Sequence, residues 1–236
     1  MDSAELMTRH RGPQPLSPQS LVDLVINEVR RSIMDGSLPP GSNILVSELA
    51  SRLQVSHIPV REALRRLEAG GLVTLRRSRN AIVAPVTRQD AESIFRAQRM
   101  LEGELFAEAV PRYTAGDRSG IRAAYAALEV EPDGPMGPDT LSARHVAFHR
   151  ALVDPVASEW DHRLLDILSG AAERYMFLIT GGLKSQGPTT FRDDHAELLA
   201  AAEGQPGHSP QEALAAHLAR GLELIGPALD RAANAG

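Results

Sequence analysis

Apolar residues between positions 20 and 86 repeat first at helical spacing and then at strand spacing. The inward face of the first predicted helix comprises Leu21, Leu24, Val25, Val29 and Ile33. A short second helix is expected to have Ser47 as its N-cap, and a third is expected to start near Pro59. Two β-type runs, Leu72–Leu75 and Ala81–Val86, follow the third helix. The order helix, helix, turn, helix and hairpin predicts a winged helix-turn-helix.

The periodicity after residue 86 is helical throughout. Thr87 and Asp90 have the spacing of a capping box, which predicts that a helix begins there. Helices are expected near 88–113, 117–129, 139–153, 158–180, 190–203 and 210–231. We therefore predict a mainly α protein, in which an all-α antiparallel bundle of about six helices follows the winged helix-turn-helix.

Length and composition agree with two globular domains preceded by an arm. The chain has 236 residues, of which 43% are hydrophobic and 23% charged. We expect a flexible arm over 1–19, the winged domain over 20–86 and a helical effector-binding domain over 87–236. The chain lacks both a secretory signal and an apolar stretch of the roughly eighteen residues that span a bilayer, so no membrane partner is expected. The absence of cysteine excludes disulfides and thiolate metal sites, and it fits a reducing cytoplasm.

The net charge of -5 conceals an uneven distribution of arginine. Residues 1–88 contain twelve Arg and eight Asp or Glu, a balance of +4, so residues 89–236 carry -9. Arginine donates bidentate hydrogen bonds to phosphate and to base edges, whereas lysine offers only a point charge. The basic segment is therefore a candidate DNA-binding surface, although composition alone allows a solvated basic face equally well.

Four segments of the first domain resemble the GntR family of bacterial regulators. They are Ile33–Gly41, Glu48–Ala50, Val55–Glu68 and Gly71–Val73, and they follow one another without large gaps. The resemblance implies a winged helix-turn-helix that binds an operator in double-stranded DNA. The helix after the turn would then enter the major groove as the recognition helix.

Arginines occupy the outward strip of this predicted recognition helix and the following wing. Arg61, Arg65 and Arg66 are spaced to lie opposite the apolar face, where they can neutralise phosphate or reach guanine. Any single arginine could lie on a solvated helix face, but three on the strip and three on the wing favour DNA contact.

The chain departs from the family at positions that are expected to touch DNA. The family usually has Arg and then Thr where this chain has His57 and Ile58, and Gly at the wing tip where it has Asn80. These differences predict a changed operator preference rather than a changed fold. The predicted DNA-contacting residues are His57, Ile58, Arg61, Arg65, Arg66, Arg76, Arg77, Arg79 and Asn80.

The second domain resembles the ligand-binding domain of the FadR branch of this family, the type called FCD. The resemblance rests on Arg99–Glu102, Phe148–Leu152, Asp194-His195 and His217-Leu218. In such domains one Asp and three His commonly bind a divalent metal inside the bundle. Here the three His are matched by His149, His195 and His217. The position of the Asp, four residues before His149, holds His145.

Spacing alone makes a weaker case for this metal site. His145 and His149 lie one helical turn apart and can chelate one ion, but such pairs are common by accident. The four histidines could instead be scattered surface or core residues. His10, His162 and His208 fit no such cluster, and we expect them to be structural or solvent-facing. A ligand set of imidazoles alone favours a divalent transition metal ion, foremost Zn or Ni, over Mg or Ca. A remaining alternative is a polar ligand pocket without metal.

An ion held by neutral imidazoles keeps its full charge and is expected to attract an anionic effector. We expect a carboxylate metabolite, with Arg99, or Arg96 one turn earlier, as the clamp for its carboxylate. The resemblance gives a looser assignment here, because the family often has Arg where this chain has Gln98.

Together these features predict a ligand-responsive, homodimeric transcription regulator rather than an enzyme. Repression is the family's commoner role, and the effector would release or reposition the DNA-binding domains. One alternative is a metal-dependent enzyme, since a His-rich site can activate water, although His-Glu-x-x-His spacing is absent. A second alternative is an architectural DNA binder without sequence preference.

Overall fold

The protein contains a small winged domain and a larger helical domain. The structure is a computed structural model that describes residues 20–76, 80–129, 138–183 and 189–234. The winged domain comprises α1 (Leu21–Met34), β1 (Asn43–Ile44), α2 (Val46–Leu53), α3 (His57–Ala69), β2 (Val73–Leu75) and β3 (Ala81–Val83). The helical domain comprises α4 (Arg88–Ala109), α5 (Ala115–Glu129), α6 (Pro138–Val153), α7 (Glu159–Leu183), α8 (Thr189–Ala202) and α9 (Pro210–Asn234). The predicted fold class is confirmed, while the predicted arm lies outside the described residues.

As far as the structure describes it, the winged domain is built on three helices and a three-stranded antiparallel sheet in the order β1-β3-β2. Its core joins the apolar faces of α1 and α3 to the sheet, with Val29, Val60 and Leu64 fully buried. Strand β1 was not predicted, because two residues are too few to show alternation. The last strand ends at Val83 rather than at Val86.

Two helix starts in this domain differ from the sequence prediction. Helix α2 begins at Val46 with Leu45 at the N-cap position, so the predicted Ser47 cap is wrong. Helix α3 begins at His57, two residues before Pro59, with Ser56 at the N-cap position. The start at His57 matters for function, because it puts His57 and Ile58 in the first turn of the helix.

The helical domain packs α4 against α7 and α9, while α5 packs against α6 and α8. The Thr87 side chain accepts a hydrogen bond from the Asp90 backbone N–H and caps α4, so the helix begins where predicted. The Asp90 carboxylate accepts a hydrogen bond from the Tyr175 hydroxyl at 2.7 Å, whereas a capping box would direct it to the Thr87 backbone. The α-helix ends at Ala109, short of the predicted residue 113, and continues as a 3₁₀ turn that contains Pro111. Within the described residues, no helix combines the length and apolarity needed to cross a membrane.

Candidate functional site

Four histidines from three helices converge inside the helical domain. His145 and His149 come from α6, His195 from α8 and His217 from α9. Their ring centroids are 4.4 to 5.8 Å apart in every pair. One ligand atom of each ring lies within 4.8 Å of those of the other three. The structure therefore brings together all four residues of the predicted ligand set.

The apolar core behind the histidines fixes their arrangement. Phe148 is fully buried between its neighbours, and its ring centroid lies 5.6 Å from that of His195. Tyr125 of α5 packs against the other side of Phe148 at 5.9 Å. Since burial of Phe148 sets the rotation of α6, the histidines one turn apart face α8 and α9.

The cluster is electrostatically suited to neutral imidazoles. Burial, reinforced by the neighbouring rings, holds the pKa of His145 well below its usual range. Burial lowers the pKa of His217 in the same way, with a contribution from nearby Arg220. Neutral imidazole is the form that binds metal, so these two side chains are ready to act as ligands near neutral pH.

Glu102 on α4 adds a carboxylate that the sequence prediction did not assign. Its Oε1 lies 2.5 Å from Nδ1 of His149, and its side chain is 5% exposed. This contact leaves Nε2 of His149 as the free ring nitrogen. Nε2 of His149 and Nδ1 of His217 are buried and have no hydrogen-bond partner among the described residues. Two buried ring nitrogens without a hydrogen-bond partner fit a metal site better than they fit a dry core.

A cavity of about 70 Å³ adjoins the histidines and extends along α4 and α7. Phe95 and Leu224 contribute apolar surface to it. Its polar wall includes Gln98, Glu102, Ser142, Glu173 and Tyr175. The space exceeds what a single water needs, and it is lined mainly by apolar atoms with a few polar groups, as ligand sites are.

The predicted effector clamp, Arg96 and Arg99, does not reach this cavity, and that prediction is corrected. Both side chains are exposed. The inward face of α4 is defined by Phe95, Gln98 and Glu102, which are three and four residues apart and buried. Arg96 and Arg99 consequently lie on the solvent side of the same helix.

The N-terminal end of α3 is presented to solvent. His57 is exposed, and Ile58 is 79% exposed despite its apolar side chain. Arg65 is 70% exposed, with Nη1 3.8 Å from the Glu62 carboxylate, and Arg61 is half-buried. This exposed first turn is the part of a helix-turn-helix recognition helix that contacts base edges.

The other predicted DNA-contacting residues differ in their surroundings. Arg66 forms ion pairs with Asp23, at 3.2 Å, and with Glu62, at 3.5 Å. Arg76 is exposed, and its backbone N–H donates to the Asn80 carbonyl at 2.8 Å, which closes the base of the wing. The other wing arginines, Arg77 and Arg79, lie outside the described residues.

Comparison with known families assigns both halves of the chain. Residues 21–83 match the bacterial regulatory proteins of the gntR family, and residues 93–220 match the FCD domain. The chain belongs to the GntR family, in its FCD branch. This GntR regulator is thus a transcription regulator by family, and the proteins it resembles are regulators rather than enzymes.

Individual relatives span nearly the whole GntR regulator. The HTH-type transcriptional regulator BphR of Paraburkholderia xenovorans is 26% identical over 90% of this chain and 89% of its own length. The HTH-type transcriptional repressor GlaR of Escherichia coli is 27% identical over 85% of this chain and 94% of its own. The solved structure of E. coli McbR/YncC shares the fold, with a TM-score of 0.69 and 19% identity over 88% of this chain and 98% of its own.

Proposed function

We propose that this regulator binds a two-fold operator as a homodimer, in the cytoplasm, and that a small carboxylate effector bound beside a metal in the four-histidine centre releases it. The observation that carries the proposal is the convergence of His145, His149, His195 and His217 next to a cavity. The sensing centre and the exposed recognition helix belong to one chain, so binding at one can be linked to the other.

The donor set fits a divalent transition metal. His149 would bind through Nε2, because Glu102 occupies its Nδ1, and His217 would bind through the buried Nδ1. Zn or Ni accepts imidazole nitrogen readily, and such an ion, when bound, supplies a positive charge and a coordination position for a carboxylate oxygen. The histidines hold the site, and Glu102 fixes the ring of His149 so that its lone pair points inward.

The DNA-binding part of the proposal is supported by the surface of α3. Its first turn carries His57 and Ile58 without any acidic residue, so the positive end of the helix dipole remains available to phosphate. Arg61 follows one turn later, and Arg65 extends into solvent. This surface can contact base edges near its start and phosphates along its length.

Homodimer formation and repression complete the proposal. One short recognition helix offers less surface than a tight specific site requires, which favours two copies on a two-fold operator. The relative GlaR is named a repressor, and this supports the same sign of regulation here. In a repressor of this kind, the effector must bind the DNA-free arrangement better than the DNA-bound one.

Capture of genomic DNA fragments by the purified, metal-loaded protein tests the proposal. We expect enrichment of a few sites with inverted-repeat symmetry, and release of those fragments by carboxylates handled by enzymes encoded beside them. Uniform recovery of all fragments would instead indicate an architectural DNA binder, and captured sites that no carboxylate releases would contradict the effector assignment.

A further inference from the structure

The histidine cavity adjoins a second space that faces the winged domain. This cleft, of about 650 Å³, is bordered by Asn27 and Arg30 of α1 on one side and by α6 and α7 on the other. The residues that line both spaces are Ser142, Val146, Ser169 and Glu173. A ligand lodged at the histidines therefore lies against side chains that also face the winged domain.

Charged residues are distributed unevenly around the histidine cavity and the cleft. The acidic residues among the described lining of the cavity are Glu102 and Glu173, and the cleft adds Asp166. Arg30 supplies a guanidinium to the cleft. A buried anion beside carboxylates is unfavourable unless cations compensate it. An anionic ligand can find that compensation at a metal on the histidines and at Arg30.

Arg30 forms an ion pair with Glu173, which lines both the cavity and the cleft. Its Nε lies 3.3 Å from Oε2 of Glu173, and the two side chains are 40% and 10% exposed. Ser142 Oγ lies 3.5 Å from the other carboxylate oxygen of Glu173. A second carboxylate that approaches Arg30 therefore competes with Glu173 for the five N–H donors of the guanidinium.

We propose that Arg30, contributed by the DNA-binding domain, is an effector-binding residue and that the effector is a small dicarboxylate. One carboxylate would lie at the histidine centre, and the other would pair with Arg30 in competition with Glu173. The inference rests on the proposed function, because it requires an effector at the histidines. It replaces Arg96 and Arg99, which face solvent, with a cation that lines the cleft next to the histidine cavity.

This arrangement also supplies a route to the recognition helix. Glu173 is followed by Arg174, whose Nη1 donates to the Gly71 carbonyl at 2.7 Å just after α3, and whose Nη2 pairs with Asp90 at the start of α4. If Arg30 pairs with the effector in place of Glu173, the contact between α1 and α7 changes. That contact lies next to the residue of α7 that holds the end of the recognition helix. The effector bound in this way would change the orientation of the winged domain.

The test uses the full-length protein loaded with Zn²⁺ and two matched series of probes. The α,ω-dicarboxylates from malonate to adipate and the monocarboxylates from propionate to hexanoate are titrated by calorimetry. The variants are Arg30→Gln and Glu173→Gln, with Arg96→Gln as an exposed control. The readout is the affinity of the best dicarboxylate relative to the monocarboxylate of equal length.

The two variants are expected to change this ratio in opposite directions. Arg30→Gln should lower it about tenfold, and Glu173→Gln, which removes the competing carboxylate, should raise it. A ratio that is unchanged in Arg30→Gln, or lowered in both variants, would overturn the inference and leave the proposed function standing. Failure of the wild type to bind either series would contradict the proposed carboxylate effector itself.

Discussion

Gln98 and Glu102 show how a single residue's role depends on which face of a helix it occupies. Both are polar and buried on α4, while the arginines that the sequence suggested as anchors are exposed. The spacing of Phe95, Gln98 and Glu102 places them on one face of the helix, which is a signal for the buried face. Two polar residues among three nevertheless obscure the apolar pattern from which burial is predicted.

The four histidines could be predicted because their spacing and the resemblance pointed to the same residues. His145 and His149 lie one turn apart on a single helix, and the other two match the motifs on later helices. The partner of His149 could not be predicted, because Glu102 lies 47 positions away in the chain and meets it only through packing of α4 on α6.

At this scale we predict that Glu102→Gln weakens metal binding about 10- to 100-fold, because an amide holds the His149 ring less firmly than a carboxylate. Competition with a chelator of known affinity measures the loss. Glu104→Gln, which changes an exposed residue on the same helix, is the control. Equal affinities in both variants would show that Glu102 does not support the site.

Arg61→Ala is expected to cost about 1–3 kcal/mol of operator-binding free energy and to relax base preference, because Arg61 follows the exposed start of α3. Mobility-shift titrations on the operator and on a shuffled sequence measure both effects. Arg112→Ala, just after α4, removes an exposed arginine from the helical domain and should leave both values unchanged. An unaffected operator affinity in Arg61→Ala would contradict the placement of the reading surface.

At the scale of elements, long periodic helices were predictable and short irregular features were not. The helices α4 to α9, which make up the described part of the second domain, follow from periodicity and glycine- or proline-containing breaks. By contrast, β1 has two residues, and α2 begins without a capping side chain, so local sequence carries little signal for either. The contact between α7 and the turn after α3 joins distant segments of the chain. Local sequence patterns therefore do not predict it.

That contact depends on close approach at the turn that ends α3. Gly71 has a φ of +72°, and a Cβ there would lie 3.1 Å from the Cβ of Ala171 on α7. We predict that Gly71→Ala destabilises the protein by about 1–2 kcal/mol, because the left-handed backbone disfavours a side chain and the neighbour must move.

Denaturant unfolding measures this loss, with Gly120→Ala as the matched control. Gly120 lies within α5, and a Cβ at this position has open space around it. Its replacement should stabilise the helix by up to about 1 kcal/mol. If the Gly71→Ala variant were as stable as the wild type, the turn would not pack on α7 as described.

At the scale of the whole molecule, a second copy is expected to cover an apolar stripe on α7. Trp160, Leu164 and Ile167 recur at helical spacing and are 69%, 48% and 50% exposed. The proposed two-fold operator binds two chains, and this stripe offers apolar area for their contact.

We predict that the double variant Leu164→Glu with Ile167→Glu is monomeric and loses most of its operator affinity, since charge on both residues opposes burial between copies. Sedimentation equilibrium measures the mass. Ala126→Glu introduces the same charge at an exposed position on α5 and should remain dimeric. A double variant that stays dimeric would place the contact elsewhere on the molecule.

Metal analysis of protein purified without a histidine tag shows directly whether the four histidines of the helical domain hold a metal. We predict close to one transition-metal ion per chain in the wild type and in His208→Ala, whose imidazole pairs with Glu197 outside the cluster. His149→Ala and His195→Ala should each lose most of the ion. If the wild type contains no metal and its melting temperature does not rise when Zn²⁺ or Ni²⁺ is added, the four histidines do not form a metal site.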